Sequence, residues 1–193
     1  MLQTRTTVVV PKERVGVVVG PEGETRSRIQ SSLGVNLRIE SQTGIVEITP
    51  KSEESDAVAV LRAKDVVTAI ARGFSPEKAF LLFDDEVVLD IIDLREIYGH
   101  SESDIRRIKG RVIGQQGKTR RIIEEMSKAR LSIFGYTIGL IGDYESTAIA
   151  REAVEMILKG REHTTVYRFL RNRRREVKRR QTLELWEKTP RPP

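Results

Sequence analysis

Hydrophobic and polar positions along the chain switch between a period of two and a period of about 3.6, and they do so twice. Thr6 to Val10 is a β-branched run stopped by Pro11, which predicts a strand. Val15 and Val17 to Val19 then predict a short apolar helix that runs into Gly20. Ile29 and Leu33 mark the buried stripe of an amphipathic helix. Next, Val35, Leu37 and Ile39 alternate with Asn36, Arg38 and Glu40, and Val46 and Ile48 alternate with Glu47 and Thr49. That is the pattern of two half-buried strands forming an antiparallel pair. Val60, Ala63, Val67 and Ile70 return to helical spacing, and Arg72-Gly73 ends the helix with a cation near its negative end and a residue that tolerates positive φ.

The same series recurs further on. A shift of 94 residues, the distance from Gly20 to Gly114, lays Gly16, Val18, Gly20, Gly23, Thr25, Arg26 and Ile29 on Gly110, Val112, Gly114, Gly117, Thr119, Arg120 and Ile123. It also pairs Leu37 with Leu131 and Ile39 with Ile133. So dense a set of coincidences points to a duplicated unit. The second copy is expected to run as a strand from Val87 to Leu94, a short Val-rich apolar helix, and a helix with Ile122, Ile123 and Met126 on its buried side. Strands carrying Leu131, Ile133, Ile138 and Leu140 follow, then a helix with Ile149, Ala153, Met156 and Ile157 that closes at Lys159-Gly160. The units are placed at residues 5–73 and 86–160. Between them, residues 74–85 offer Ser75 as N-cap, Pro76 in the first turn and an apolar side at Phe80 to Phe83, so a packed helical linker holding the two units in fixed orientation is expected. Residues 161–193 read as a basic helix docked through Val166, Phe169, Leu170 and Val177, with Pro190, Pro192 and Pro193 ending it in disorder.

The order strand, helix, glycines, helix, strand, strand, helix resembles the type I KH domain, with GxxG loops at Gly20-Pro21-Glu22-Gly23 and Gly114-Gln115-Gln116-Gly117. The resemblance implies an α/β (α+β) fold of two tandem βααββα units, each a three-stranded sheet packed on three helices, plus the basic C-terminal helix. Physical reasoning reaches the same site. Two glycines separated by two residues let the backbone turn sharply between helices and approach a sugar-phosphate strand, while the next helix turns its N-terminal amides to phosphate. In KH domains such a loop clamps about four single-stranded nucleotides. Local charge makes the two loops unequal. Residues 12–28 hold Lys12, Arg14, Arg26 and Arg28 against Glu13, Glu22 and Glu24, whereas residues 109–121 hold Lys109, Arg111, Lys118, Arg120 and Arg121 with no acid. The second loop, Arg111, Val112, Ile113, Gly114, Gln115, Gln116, Gly117, Lys118, Thr119, Arg120 and Arg121, is therefore expected to dominate RNA affinity. Gly20, Pro21, Glu22, Gly23 and Arg26 form a weaker second site or a scaffold, since Glu22 sits where phosphate would pass and Pro21 lacks a donor.

Charge changes the picture chiefly at the C-terminus. The net charge is +6, but residues 161–193 carry eleven Lys or Arg against four Glu, so residues 1–160 together sum to −1. Seven cations, Arg171, Arg173, Arg174, Arg175, Lys178, Arg179 and Arg180, fall within ten residues and repel one another unless an anion is near, which points to RNA contact. Aromatics make up only 5% of the chain, so base stacking cannot be extensive. Other chemistries find no carrier. Gly117-Lys118-Thr119 suggests a phosphate-binding P-loop, but GxxxxGK[ST] requires glycine where the chain has Val112. Asp84-Asp85-Glu86 reads as a solvated turn rather than a magnesium site, and His100 and His163 stand apart from any acid-base or nucleophile set. With no cysteine, disulfides and thiolate metal sites are excluded. The expectation is a noncatalytic protein without cofactor or metal, monomeric and cytoplasmic, with neither signal peptide nor membrane span.

Beyond the KH pattern, the chain resembles the Pno (partner of Nob) family of small-subunit ribosome assembly factors in its archaeal form. Gly73-Phe74 through Phe83-Asp84-Asp85, Val88 to Leu94, Arg107 to Thr119 and Gly139 to Gly160 carry the likeness, which covers roughly residues 5 to 180. It implies a pair of KH domains that bind the 3′ region of small-subunit ribosomal RNA and assist its maturation alongside the Nob endonuclease, with an archaeal translation initiation factor subunit as a further partner. One departure bears on the site: many KH loops carry a basic or glycine residue inside the GxxG, and Gln115 and Gln116 are neutral. Phosphate contact then rests on Lys118, Arg111 and backbone amides. The alternative is a KH-fold adaptor for proteins whose RNA contact is made by the basic tail.

Overall fold

The computed structural model describes residues 5–52 and 57–188, with side chains through Leu183; the proline-rich end from Pro190 lies outside the described residues. The first unit runs β1 (Thr6–Val9), α1 (Lys12–Val19), a 3₁₀ turn (Pro21–Gly23), α2 (Glu24–Leu33), β2 (Val35–Glu40), β3 (Ile45–Pro50) and α3 (Ala57–Ala71). Its antiparallel sheet has the order β1-β3-β2. Thr6 and Leu37 both stand opposite Ile48, and Val8 and Ile39 both stand opposite Val46, so the alternating apolar positions share one face. Val15 and Val18 of α1, Ile29 of α2 and Val60, Val67 and Ile70 of α3 close over that face and are buried with it. Each such side chain contributes about 1.5–3 kcal/mol of burial.

The second unit repeats the plan with one addition. It runs β4 (Val87–Asp93), α5 (Leu94–Tyr98), α6 (Glu102–Ile113), a 3₁₀ turn (Gln115–Gly117), α7 (Lys118–Ser127), β5 (Arg130–Phe134), β6 (Thr137–Asp143) and α8 (Tyr144–Leu158), and α9 (His163–Lys188) follows. The sheet order is β4-β6-β5, again antiparallel. The strand expected to reach Leu94 stops at Asp93, because the Asp93 carboxylate accepts the Arg95 amide and caps a new helix whose first residue, Leu94, turns into the core. The helix before the second glycines is also not Val-rich. It begins at a Ser101 cap and has Ile105, Ile108 and Val112 as its buried stripe amid charged residues.

Residues Thr137 to Ile141 of β6 are all buried, because the sheet is covered on both faces. Ile138 and Leu140 point into the core of their own unit. Ile141 belongs instead to the core of the first unit, and Gly139 leaves room for Phe74, whose Cε2 lies 2.7 Å from where a Cβ would be. Phe74 heads the segment between the units, which continues as α4 (Pro76–Ala79) and a 3₁₀ turn (Phe80–Phe83); Phe74, Ala79 and Leu82 are buried. Ser132 Oγ donates to Arg72 O at 3.0 Å, and the Arg14 guanidinium lies over the Phe134 ring at 5.7 Å. The acidic turn before β4 is internally bonded: Asp84 Oδ1 accepts the Glu86 amide and Asp85 pairs with Arg62.

Candidate nucleic-acid interface

The two glycine loops have the same backbone despite different chemistry. Gly20 and Gly114 have φ/ψ of 76°/171° and 71°/172°, Glu22 and Gln116 have 50°/19° and 51°/30°, and Gly23 and Gly117 have 79°/14° and 72°/15°. In each loop the first glycine is required by a threonine five residues on. A Cβ on Gly114 would lie 2.2 Å from Thr119 Oγ1, and one on Gly20 would lie 2.3 Å from Thr25 Oγ1. Both threonines are buried. The second glycine meets no atoms and serves as a left-handed N-cap. The repeated Gly-x-x-Gly-x-Thr is thus one steric unit.

At the N-terminus of α7 the polarity is open. Helices α5, α6 and α8 begin at Asp93, Ser101 and Asp143, whose side-chain oxygens accept first-turn amides. Helix α7 begins at Gly117 with no side-chain cap, so no side-chain oxygen meets the positive end of its dipole, although Gly117 N and Lys118 N already donate to Gly114 O and Gln115 O. Gln115, Gln116 and Lys118 are exposed around it, and no hydrogen bond or ion pair within the described residues holds the Lys118 side chain. In the first loop the same amide-rich turn carries exposed Pro21, Glu22 and Glu24. Arg28 there lies over the Phe80 ring at 4.6 Å, and Arg14 is turned away from the loop altogether.

Several residues expected at the second loop are placed elsewhere. Val112 is fully buried in the core, and Thr119 is buried with its hydroxyl 2.8 Å from Tyr167 Oη of α9. Arg120 pairs with Glu124 at 3.6 Å, and Arg121 donates to Gln116 O at 3.3 Å while remaining exposed. Lys109 reaches Gly135 O in the β5–β6 turn, and Ile113 is half exposed beside Gly114. Arg111 is committed to structure: it donates to Ile157 O at 3.0 Å and to Arg161 O at 2.7 Å. Arg14 does the same in the first unit, donating to Ile70 O and Phe74 O. The closing helices end alike, Gly73 N to Ile70 O with Phe74 N to Ala69 O, and Gly160 N to Ile157 O with Arg161 N to Met156 O. These are two Schellman ends, and each leaves carbonyls that one arginine binds. Their positions differ by 97 residues and not 94, so aligning the repeats could not reveal the pair. We expect Arg111→Ala to lower unfolding stability by about 1.5–3 kcal/mol, measured by urea denaturation, because it unpairs charge-assisted bonds at a helix end. A change confined to RNA affinity would contradict this placement.

The tail is a docked helix. Val166 and Leu170 of α9 are fully buried, with Phe169 and Val177 packed beside them against α7 and α8. His163 Nε2 is 2.9 Å from Arg111 O, so α9 begins close behind the second loop. Of the seven clustered cations, Arg173 pairs with Glu152 and Glu176, Arg174 with Glu125, and Arg180 with Glu145. Arg171, Arg175, Lys178 and Arg179 are exposed without a carboxylate partner among the described residues. Among the same residues no helix is long and apolar enough to cross a membrane.

Two βααββα units, each with a GxxG turn opening onto an α-helix N-terminus, define a KH-type RNA-binding protein. A family model described as a eukaryotic-type KH domain, type I, matches residues 88–175, and a KH-domain model matches residues 5–68. A KH domain-containing protein of Methanocaldococcus jannaschii is 45% identical over 93% of this chain and 78% of its own length. The pre-rRNA-processing protein pno1 of Schizosaccharomyces pombe is 28% identical over 76% of the chain, which spans 61% of that relative. Among solved structures, the aDim2p complex with a/eIF2α and rRNA from Pyrococcus horikoshii matches with a TM-score of 0.84 and 40% identity, over 91% of this chain and 97% of that one. The chain belongs to the archaeal branch of the Pno (partner of Nob) family.

Proposed function

We propose that the protein binds single-stranded RNA in the 3′ region of small-subunit ribosomal RNA through its second KH loop, and assists maturation of that end in the cytoplasm without cleaving it. The observation that carries this reading is the start of α7 behind Gly114-Gln115-Gln116-Gly117, which no side chain caps, with the Lys118 ammonium exposed and unpaired among the described residues beside it. Three kinds of contact converge there: backbone amides for phosphate, two amide side chains for base edges, and one free cation. The fission-yeast relative, a pre-rRNA-processing protein, and the rRNA-bound Pyrococcus relative favour the same ligand. In this reading the KH units are residues 5–73 and 86–160, and residues 74–85 link them. The RNA surface is Gly114, Gln115, Gln116, Gly117, Lys118 and Arg121, with Arg111, Val112 and Thr119 supporting it from behind. The first loop, with Glu22 at its tip, is a weak site or a scaffold. Partners fitting the role are a Nob-type endonuclease, which would supply the cleavage chemistry, and an archaeal initiation factor subunit.

Gln115→Asp with Gln116→Asp tests the reading. Both side chains are exposed, so the fold should survive, while two carboxylates at the phosphate path should lower affinity for a single-stranded rRNA 3′-end oligonucleotide by about tenfold or more. Unchanged affinity in a fluorescence-anisotropy titration would sink it. Loss of binding only on deletion of α9 would favour a protein-binding adaptor instead.

A further inference from the structure

The cations of α9 divide by face. At 3.6 residues per turn, Val166, Leu170, Arg173, Val177 and Arg180 fall on one side, and Arg168, Arg171, Arg175 and Arg179 fall on the opposite side. The first set is the docked face, where Val166 and Leu170 are buried and Arg173 and Arg180 are ion-paired to α8 glutamates. The second set is exposed and has no carboxylate partner among the described residues. It runs about 17 Å along the helix. Charge repulsion along this stripe is left uncompensated by the described residues, although acids are paired with the other face.

The stripe also has no stacking groups among the described side chains. Tyr167 is turned to Thr119, and Phe169 packs toward the core beneath Arg173, so no described aromatic stands among the outward arginines. Single strands are held by bases laid on aromatic or groove surfaces, whereas a rigid row of point charges suits the fixed phosphate spacing of a helical backbone. Helix α9 starts just behind the second loop, through the Thr119–Tyr167 and His163–Arg111 contacts, so a strand leaving that loop is already close to the stripe. We infer that Arg168, Arg171, Arg175 and Arg179 form a sequence-independent track for the phosphate backbone of a double-helical RNA stem flanking the clamped single strand. This rests on the RNA-binding reading of the loop, but it assigns a separate surface and a separate RNA form.

Three RNA probes test it with the full chain: a single strand from the rRNA 3′ end, a hairpin stem alone, and the strand joined to the stem. The wild type should bind the joined RNA about tenfold or more tighter than the strand alone, with a steeper salt dependence. Arg168→Gln, Arg171→Gln, Arg175→Gln and Arg179→Gln combined should remove that gain and make the log-log salt slope on the joined RNA less negative by about 3 to 4, leaving binding of the strand alone unchanged. The combination Arg173→Gln, Arg174→Gln and Arg180→Gln should keep the slope. The inference is overturned if the stem adds no affinity, or if both combinations flatten the slope equally. The Gln115→Asp, Gln116→Asp variant separates the two claims, because it should lower strand affinity by about tenfold or more while stem binding persists.

Discussion

Gly114→Ala should cost about 3 kcal/mol or more of folding stability, whereas Gly117→Ala, three residues away, should cost about 1–2 kcal/mol. Both residues have positive φ, but the demands on them differ. Gly114 combines φ 71° with ψ 172°, a region that is nearly glycine-only and strained by about 1–3 kcal/mol for other residues. Its Cβ would also lie 2.2 Å from Thr119 Oγ1 and 2.8 Å from the Thr119 backbone nitrogen. Thr119 cannot swing aside, because it is buried, bonded to Tyr167, and part of the α7 backbone. Overpacking of this kind adds about 1–3 kcal/mol. Gly117, at φ 72° and ψ 15°, is an ordinary left-handed cap with open space beside it, so only the conformational cost applies. Denaturant midpoints of the two single variants decide the matter. Equal losses would mean that torsion alone, and not the packing of Thr119, fixes the first glycine. Against a typical total stability of about 5–15 kcal/mol, the larger loss is a substantial fraction.

That steric pairing explains why the loops were the most legible part of the sequence. Gly20, Gly23 and Thr25 recur as Gly114, Gly117 and Thr119 because each glycine-threonine contact is local, and local geometry repeats at a fixed spacing. The apolar alternation of β2 and β3 was readable for the same reason, one face of that sheet being buried. What escaped depends on distant partners. Arg111 in the sequence looks like one more cation beside a phosphate loop; in the fold it binds carbonyls 46 and 50 residues away. Helical spacing puts Arg173 and Arg180 on the face of Val166, Leu170 and Val177, but that they and Arg174 are ion-paired is settled only where α7 and α8 place glutamates against that side of α9. Helix α5 was missed because the hydrophobic run through Leu94 continues the strand pattern, and only the Asp93 cap reverses the chain there. The unbroken apolar stretch of β6 did carry a signal, since a strand with one solvated face would have alternated.

The burial of that second face leads to the other large effect, at Gly73. Gly73 ends α3 at φ 93°, and a Cβ there would lie 2.6 Å from Phe134 Cβ and 2.8 Å from Ser132 Oγ, both on the outer face of the second sheet. Gly73→Ala therefore does two things: it strains the helix end, and it pushes α3 off the sheet that Phe74 and Arg14 also hold. Gly160 supplies the control. It ends α8 with the same pair of backbone bonds and φ 84°, but its Cβ would meet nothing. Gly160→Ala should cost about 1–2 kcal/mol for the conformation alone, and Gly73→Ala about 3 kcal/mol or more through added overpacking. The signatures should differ as well. Gly160→Ala should keep one cooperative thermal transition at a lower midpoint, while Gly73→Ala should separate the melting of the two KH units into two calorimetric transitions, because the seam that couples them is lost. A single transition with equal losses for both variants would mean that the units do not depend on this contact for their joint stability. RNA binding distinguishes the cases further: with the seam open, the second loop should still hold its single strand, since Gly114 through Lys118 and the Thr119–Tyr167 contact lie wholly within the second unit and its tail.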